Sequence, residues 1–95
     1  MYASYIDMQL KPGKTAEAME MTKQMKAELG QVVGLKQFII ADKGNDSSTL
    51  LAIYDTAEAQ EAAGPKAAEL LGNLADLFAS PPDRKQVEVP INFSF

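Results

Sequence analysis

Few residues in this sequence are able to do chemistry, and two absences narrow them first. The chain has no histidine and no cysteine. The commonest general base at neutral pH and the commonest metal ligand are therefore missing, and so are thiolate catalysis and disulfides. Proton transfer falls to a carboxylate, a tyrosine, a lysine or the substrate itself. Tyr54 closes an apolar run and offers a hydroxyl to a ligand carbonyl or phenolate; a tyrosine there also packs with its hydroxyl near water. Ser4 stands among alternating core-type residues, either as a pocket hydroxyl or as a small residue bonded to nearby backbone. Asn73 interrupts a leucine-rich helical pattern, either at a cavity edge or at the wet boundary of the apolar stripe. Ser4, Tyr54 and Asn73 are the candidate substrate-binding residues. No catalytic residue is singled out, and neither a metal site nor a cofactor is expected.

Other groups have plainer readings. Tyr5, Asp7 and Gln9 share a strand face. Asp7 there is either a base with a raised pKa or the partner of Lys36, Lys85 or another subunit's lysine. The segment Asp42-Lys43-Gly44-Asn45-Asp46 lacks the regular oxygen positions and closing glutamate of a calcium loop, and reads as a hairpin turn. Met8, Met19, Met21 and Met25 fill irregular core space or line an adaptable pocket. The glycines form no phosphate-binding fingerprint.

Positioning these residues requires strands and helices in a definite order. Tyr2, Ser4, Ile6, Met8 and Leu10 alternate as the core face of a first strand, which Lys11-Pro12-Gly13 ends. Lys14 to about Leu29 reads as one helix, with Thr15 as N-cap and Gly30 as C-cap. Gly34 to Tyr54 reads as a hairpin with its turn over 42–48. Its strands are apolar on both faces, Phe38 and Ile40 against Ile39 and Ala41, and Leu50 and Ala52 against Leu51 and Ile53. Such strands are covered on both sides, and the helices of one small domain cover only one. A second copy of the chain on the other sheet face is the economical solution. Thr56 caps a second helical region, which Gly64-Pro65 breaks and restarts. Val87, Val89, Ile91, Phe93 and Phe95 alternate as a last strand, with Pro90 marking it as an edge or a bulge.

The resulting βαββαβ order is the ferredoxin-like α+β pattern, one domain over residues 1–95. Three stretches go further: Leu10-Lys11-Pro12-Gly13-Lys14, Val33-Gly34-Leu35, and Ile53-Tyr54-Asp55-Thr56-Ala57-Glu58-Ala59. Together they resemble the antibiotic biosynthesis monooxygenase-like family. The resemblance implies a dimeric α+β barrel, a homodimer whose two sheets pack face to face. It also implies a cavity for a small apolar or aromatic ligand between each sheet and its own helices. The implied activity is cofactor-independent monooxygenation of a small aromatic or quinone-like compound. The alternative is a non-catalytic ligand-binding or assembly module of the same fold. Members of the family often carry a tryptophan where Tyr54 stands and a histidine further on, where this chain has Ala62, Ala63 and Gly64. The haem-degrading branch uses an asparagine, a tryptophan and a histidine, and this chain has neither of the last two.

Composition sets the remaining bounds. With 13 acidic and 9 basic residues the net charge is −4, and the lysines form no run. Neither nucleic acid nor an anionic membrane surface is an expected partner. No apolar run approaches the roughly 20 residues that span a bilayer. With no leader visible, a cytoplasmic location is the default expectation.

Overall fold

The alternating run at the start of the chain becomes a central strand of a four-stranded sheet. The computed structural model describes all residues, Met1–Phe95. Strand β1 is Tyr2–Gln9, β2 Leu35–Gly44, β3 Ser47–Tyr54 and β4 Asp83–Glu88. The sheet order is β2-β3-β1-β4, with every pairing antiparallel. Helices α1 (Thr15–Gln24) and α2 (Lys26–Leu29) join β1 to β2. Helices α3 (Ala57–Ala62) and α4 (Gly64–Asn73) and a 3-10 turn at Ala75–Leu77 join β3 to β4. This is the expected ferredoxin-like α+β arrangement.

Register decides which residues face the helices. Ser4 lies opposite Ala52, and Ile6 opposite Leu50. Phe38 and Ile40 continue the same rows across β2. The core forms where this face meets Ala18 and Met25 of the first helical layer and Ala63, Leu70 and Leu74 of the second. The opposite face carries Ala3, Tyr5, Ile39, Leu51, Ile53 and Val87; Ala3 and Ile53 are buried, while Ile39 remains 46% exposed and Val87 41%.

The hairpin turn is tighter than the 42–48 span expected. Asn45 and Asp46 alone form the loop, with φ of 55° and 60°. A two-residue loop with both φ values positive matches the twist of its strands, and Asn and Asp tolerate that conformation. Asp46 also reaches across to the β1–α1 loop. Its carboxylate accepts the Gly13 N–H at 3.1 Å and the Thr15 hydroxyl at 2.7 Å. Thr15 is therefore not the expected N-cap. Lys14 takes that position without a side-chain bond, because the Thr15 hydroxyl is spent on the hairpin.

Three other expectations are corrected or refined. The first helix is two pieces, since Met25 at ψ near 0° bonds back to Thr22 and ends the α-helical ladder. Gly30 takes the C-cap position in the right-handed conformation, at φ −64°, rather than the left-handed one a glycine permits. The last strand lies earlier than Val87–Phe95. It is Asp83–Glu88, because β1 supplies pairing partners only back to Tyr2, which faces Glu88. One further bond, Val89 N–H to Met1 C=O at 2.9 Å, exhausts the neighbour, and Pro90 has no N–H to continue. Thr56 caps α3 as expected, accepting the Ala59 N–H at 3.1 Å.

Candidate functional site

Between the sheet and the helices lies a cavity of about 60 Å³. Fourteen of its eighteen lining residues are hydrophobic, and the other four are Ser4, Thr22, Lys66 and Arg84. No carboxylate lines it. The sheet contributes Ser4 and Ile6 from β1, and Leu50, Ala52 and Tyr54 from β3. Helix α4 and its C-cap contribute Lys66, Ala67, Leu70, Leu71 and Leu74, the i, i+3, i+4 spacing of a single helix face.

Of the three sequence candidates, the structure brings two together. Ser4 and Tyr54 both line the cavity, on rows of the same sheet face. Tyr54 is 4% exposed, and its hydroxyl bonds to no other protein group. Asn73 is not with them. It is exposed at the end of α4, outside the cavity lining, because the buried stripe runs through Leu70 and Leu74.

Ser4 sits in a polar knot that the sequence did not announce. The buried Gln60 amide donates to the Ala3 carbonyl at 2.6 Å and to Ser4 Oγ at 3.3 Å. Arg84 Nη2 donates to Ser4 Oγ at 3.0 Å and to the Gln60 carbonyl at 3.5 Å. Both acceptor positions of the hydroxyl are thus engaged, which leaves its proton without a protein acceptor. Register explains the contact: Arg84 faces Ile6 on the same side of the sheet, two residues from Ser4, a diagonal within reach of a long side chain. The Thr56 cap sets where α3 begins and so where Gln60 enters the core.

The sequence reading passed over Arg84, Gln60 and Lys66. Arg84 is the only arginine in the chain, and it alternates with Gln86 and Glu88 at period 2. That alternation was the available signal, but Ser80-Pro81-Pro82-Asp83 reads as a loop and hides the start of β4. Lys66 ties the helical layers together, with Glu28 Oε2 at 3.1 Å and Glu69 Oε2 at 3.4 Å. Its pKa is raised, chiefly by the hydrogen bond to Glu28. Thr22 spends its hydroxyl on the Ala18 carbonyl of its own helix, at 2.8 Å.

Asp7 is a paired group rather than a base. It lies on the opposite sheet face, with the Thr49 hydroxyl at 2.7 Å and Lys43 at 3.2 Å. These hold its carboxyl below the usual range, the Thr49 bond most strongly. Its lysine partner is Lys43, not the Lys36 or Lys85 expected; Lys36 pairs with Asp55 at 3.5 Å.

An open groove of about 730 Å³ runs between α1–α2 and β2. It shares Thr22, Leu29, Leu35 and Phe38 with the cavity and carries Lys23, Lys26 and Lys36. No cluster of acidic residues is arranged to hold a metal ion, and no helix is long and apolar enough to cross a membrane.

No family model and no curated protein matches the sequence. Many solved structures match the fold. A protein of unknown function from Nitrosomonas europaea is similar at TM-score 0.83 and 20% identity, over 98% of this chain and 92% of that one. A second protein from Nitrosomonas europaea, provisionally named an antibiotic biosynthesis monooxygenase, is similar at TM-score 0.79 and 20% identity, over 96% of this chain and 100% of that one. A variant of MhuD with two manganese protoporphyrin IX molecules per active site is similar at TM-score 0.76 and 17% identity, over 100% of both chains. The chain thus has the ferredoxin-like α+β fold of a group of solved structures, many of them named for antibiotic biosynthesis monooxygenases.

Proposed function

We propose that the protein is a homodimer that binds a small aromatic or quinone-like compound in the sheet–helix cavity and oxygenates it without a cofactor, in the manner of a monooxygenase. The observation that carries this reading is Tyr54, a 4% exposed residue on the wall of an apolar cavity, whose hydroxyl makes no hydrogen bond within the protein and keeps some accessible surface. A tyrosine hydroxyl left free at an apolar wall is available to bond a ligand oxygen. The names of proteins with the same fold support the reaction class. The Ser4 proton, also without a protein acceptor, gives a second contact to the same ligand.

The chemistry closes on the substrate alone. A naphthol and dioxygen give a naphthoquinone and water; the phenol O–H and one ring C–H are converted to carbonyls, so the substrate supplies all the electrons. The protein's part is to exclude water, orient the ring and donate a hydrogen bond from Tyr54 to the oxygen that gathers charge. A single ring occupies about 150 Å³ in an apolar cavity, more than is open here. Binding therefore requires α1–α2 to ease outward, or the ligand to extend into the groove beside them. A porphyrin fits poorly: the lining has neither histidine nor cysteine, and the space is far below the roughly 300–1,000 Å³ of ordinary ligand pockets.

Oxygen uptake with a panel of naphthols and dihydroquinones tests the proposal. Quinone formation is expected, with kcat lowered about tenfold or more in Tyr54→Phe, the loss of one buried hydrogen bond to a charged oxygen. No turnover across the panel would remove the enzymatic reading. The non-catalytic alternative draws on the lack of any carboxylate or imidazole in the lining to take up a phenol proton. Native mass spectrometry showing a retained apolar ligand in a protein without turnover would favour it.

A further inference from the structure

The cavity is apolar but not electrically neutral. The whole chain has a net charge of −4, yet the lining holds two cations and no acid. Lys66 is neutralised by Glu28 and Glu69. Arg84 pairs with no carboxylate at all. All its hydrogen bonds leave from Nη2, to the Ser4 hydroxyl and the Gln60 carbonyl. Its Nε and Nη1 donate to no protein group. A guanidinium has five N–H donors, and three of them, one on Nε and two on Nη1, remain for an anion.

Two features make this more than a surface arginine. Its anchors are buried groups, Ser4 at 2% and Gln60 at 5% exposure, so the guanidinium is held from behind by rigid partners. The far end of the same space is also basic. The groove at the β2 edge shares four lining residues with the cavity and carries Lys23 and Lys26, neither in an ion pair, as well as Lys36. Arg84 is on β4, the opposite edge of the sheet. An anion therefore meets positive charge in the groove and again in the cavity, with the shared apolar wall of Leu29, Leu35 and Phe38 between them.

We infer that the natural ligand of this cavity is an amphipathic monoanion, an apolar ring or short chain bearing one carboxylate, with the carboxylate seated on the free Nη1 N–H groups of Arg84. A guanidinium half-buried beside apolar walls, as Arg84 is, gives up part of its hydration, a cost that an anion offsets. A neutral ligand of equal shape leaves that cost in place. This inference rests on the proposal that the cavity is a ligand site, and it adds the charge of the ligand to it.

Calorimetric titration with benzoate and with its neutral isostere benzamide tests both parts. Charge-assisted bonds of this kind are worth one to two orders of magnitude in affinity. Benzoate is expected to bind wild type at least about tenfold more tightly than benzamide. Arg84→Gln should abolish that preference, and Arg84→Lys should restore part of it. The wild-type comparison stands even where a variant fails to fold. Equal binding of the two compounds to wild type overturns the charge inference and leaves the ligand-site proposal intact. A preference for benzoate that survives in folded Arg84→Gln overturns the role of Arg84. Binding of neither compound overturns both.

Discussion

Replacing Gly34 with alanine probes the joint that sets α3 against the hairpin. Gly34 has φ +81°, and a methyl group built on it lies 2.5 Å from Cβ of Ala59. Carbon atoms settle at about 3.5–4.0 Å, so the overlap is about 1 Å or more. Neither methyl can rotate away. Moving Gly34 stretches the bond from the Asp55 N–H to its carbonyl, 2.9 Å long, which pins the β2 entry to the end of β3. The left-handed conformation costs a residue with a Cβ about 1–2 kcal/mol, and forced overpacking about 1–3 kcal/mol. The sum is about 2–5 kcal/mol, a large part of the roughly 5–15 kcal/mol that holds an ordinary domain. At roughly 4–8 °C per kcal/mol for a domain of this size, Gly34→Ala should melt at least about 8 °C below wild type by circular dichroism. Ala59→Gly in the same chain relieves the overlap but not the backbone strain, so the double-mutant cycle should show a coupling of about 1–3 kcal/mol. Since Ala59 precedes Gln60, benzoate affinity should fall in Gly34→Ala and recover in the pair. A variant that melts with wild type, or an additive cycle, would refute the reasoning.

Three shorter predictions follow from the same structure. Ser48 is 1% exposed and its hydroxyl has no hydrogen-bond partner, so Ser48→Ala should raise stability by about 1 kcal/mol in urea titrations; a clear loss would reveal a partner for that hydroxyl. Asp46 is held below the usual carboxylate range by the Thr15 hydroxyl first and the Gly13 N–H second. Its contribution is therefore present above about pH 4 and lost as pH falls through its folded pKa. Asp46→Asn should destabilise at pH 7 and differ less from wild type at pH 3; a gap that does not narrow on acidification would count against that linkage. Sedimentation should find a dimer at micromolar concentration, and Ile39→Asp, on the sheet face opposite the helices, should shift it to monomer. A wild-type monomer there would contradict the two-sided sheet argument.

The hairpin and its neighbours were the readable part of this chain. Alternating apolar residues in β1 and β3, the Thr56 cap and the Gly64-Pro65 restart each follow from local rules of period and backbone, which need only adjacent residues. So does the two-faced character of Phe38 to Ile40 and Leu50 to Ile53. Where the reading went astray, a distant group had intervened. Asp46 took the Thr15 hydroxyl away from its cap from across the fold. The last strand stopped at Glu88 because β1 had no more residues to pair, although Val89 to Phe95 alternate as cleanly as any strand.

The candidate site divides the same way. Tyr54 and Ser4 were legible as residues, since each sits on the core face of a strand whose period is written in its neighbours. Their meeting with Arg84 and Gln60 was not. Those contacts join residues 80 and 56 positions apart in the chain, and they depend on the register between β1 and β4 and on the entry point of α3. Composition established that no histidine or cysteine takes part, and periodicity established the order of strands and helices. Only the packed sheet decided that Asn73 faces outward, and that the chain's single arginine lines an acid-free cavity with three of its five N–H donors unspent. Local sequence governs which way a backbone turns and which face is apolar, whereas the pairing of far-separated polar groups is decided when the whole core closes around them.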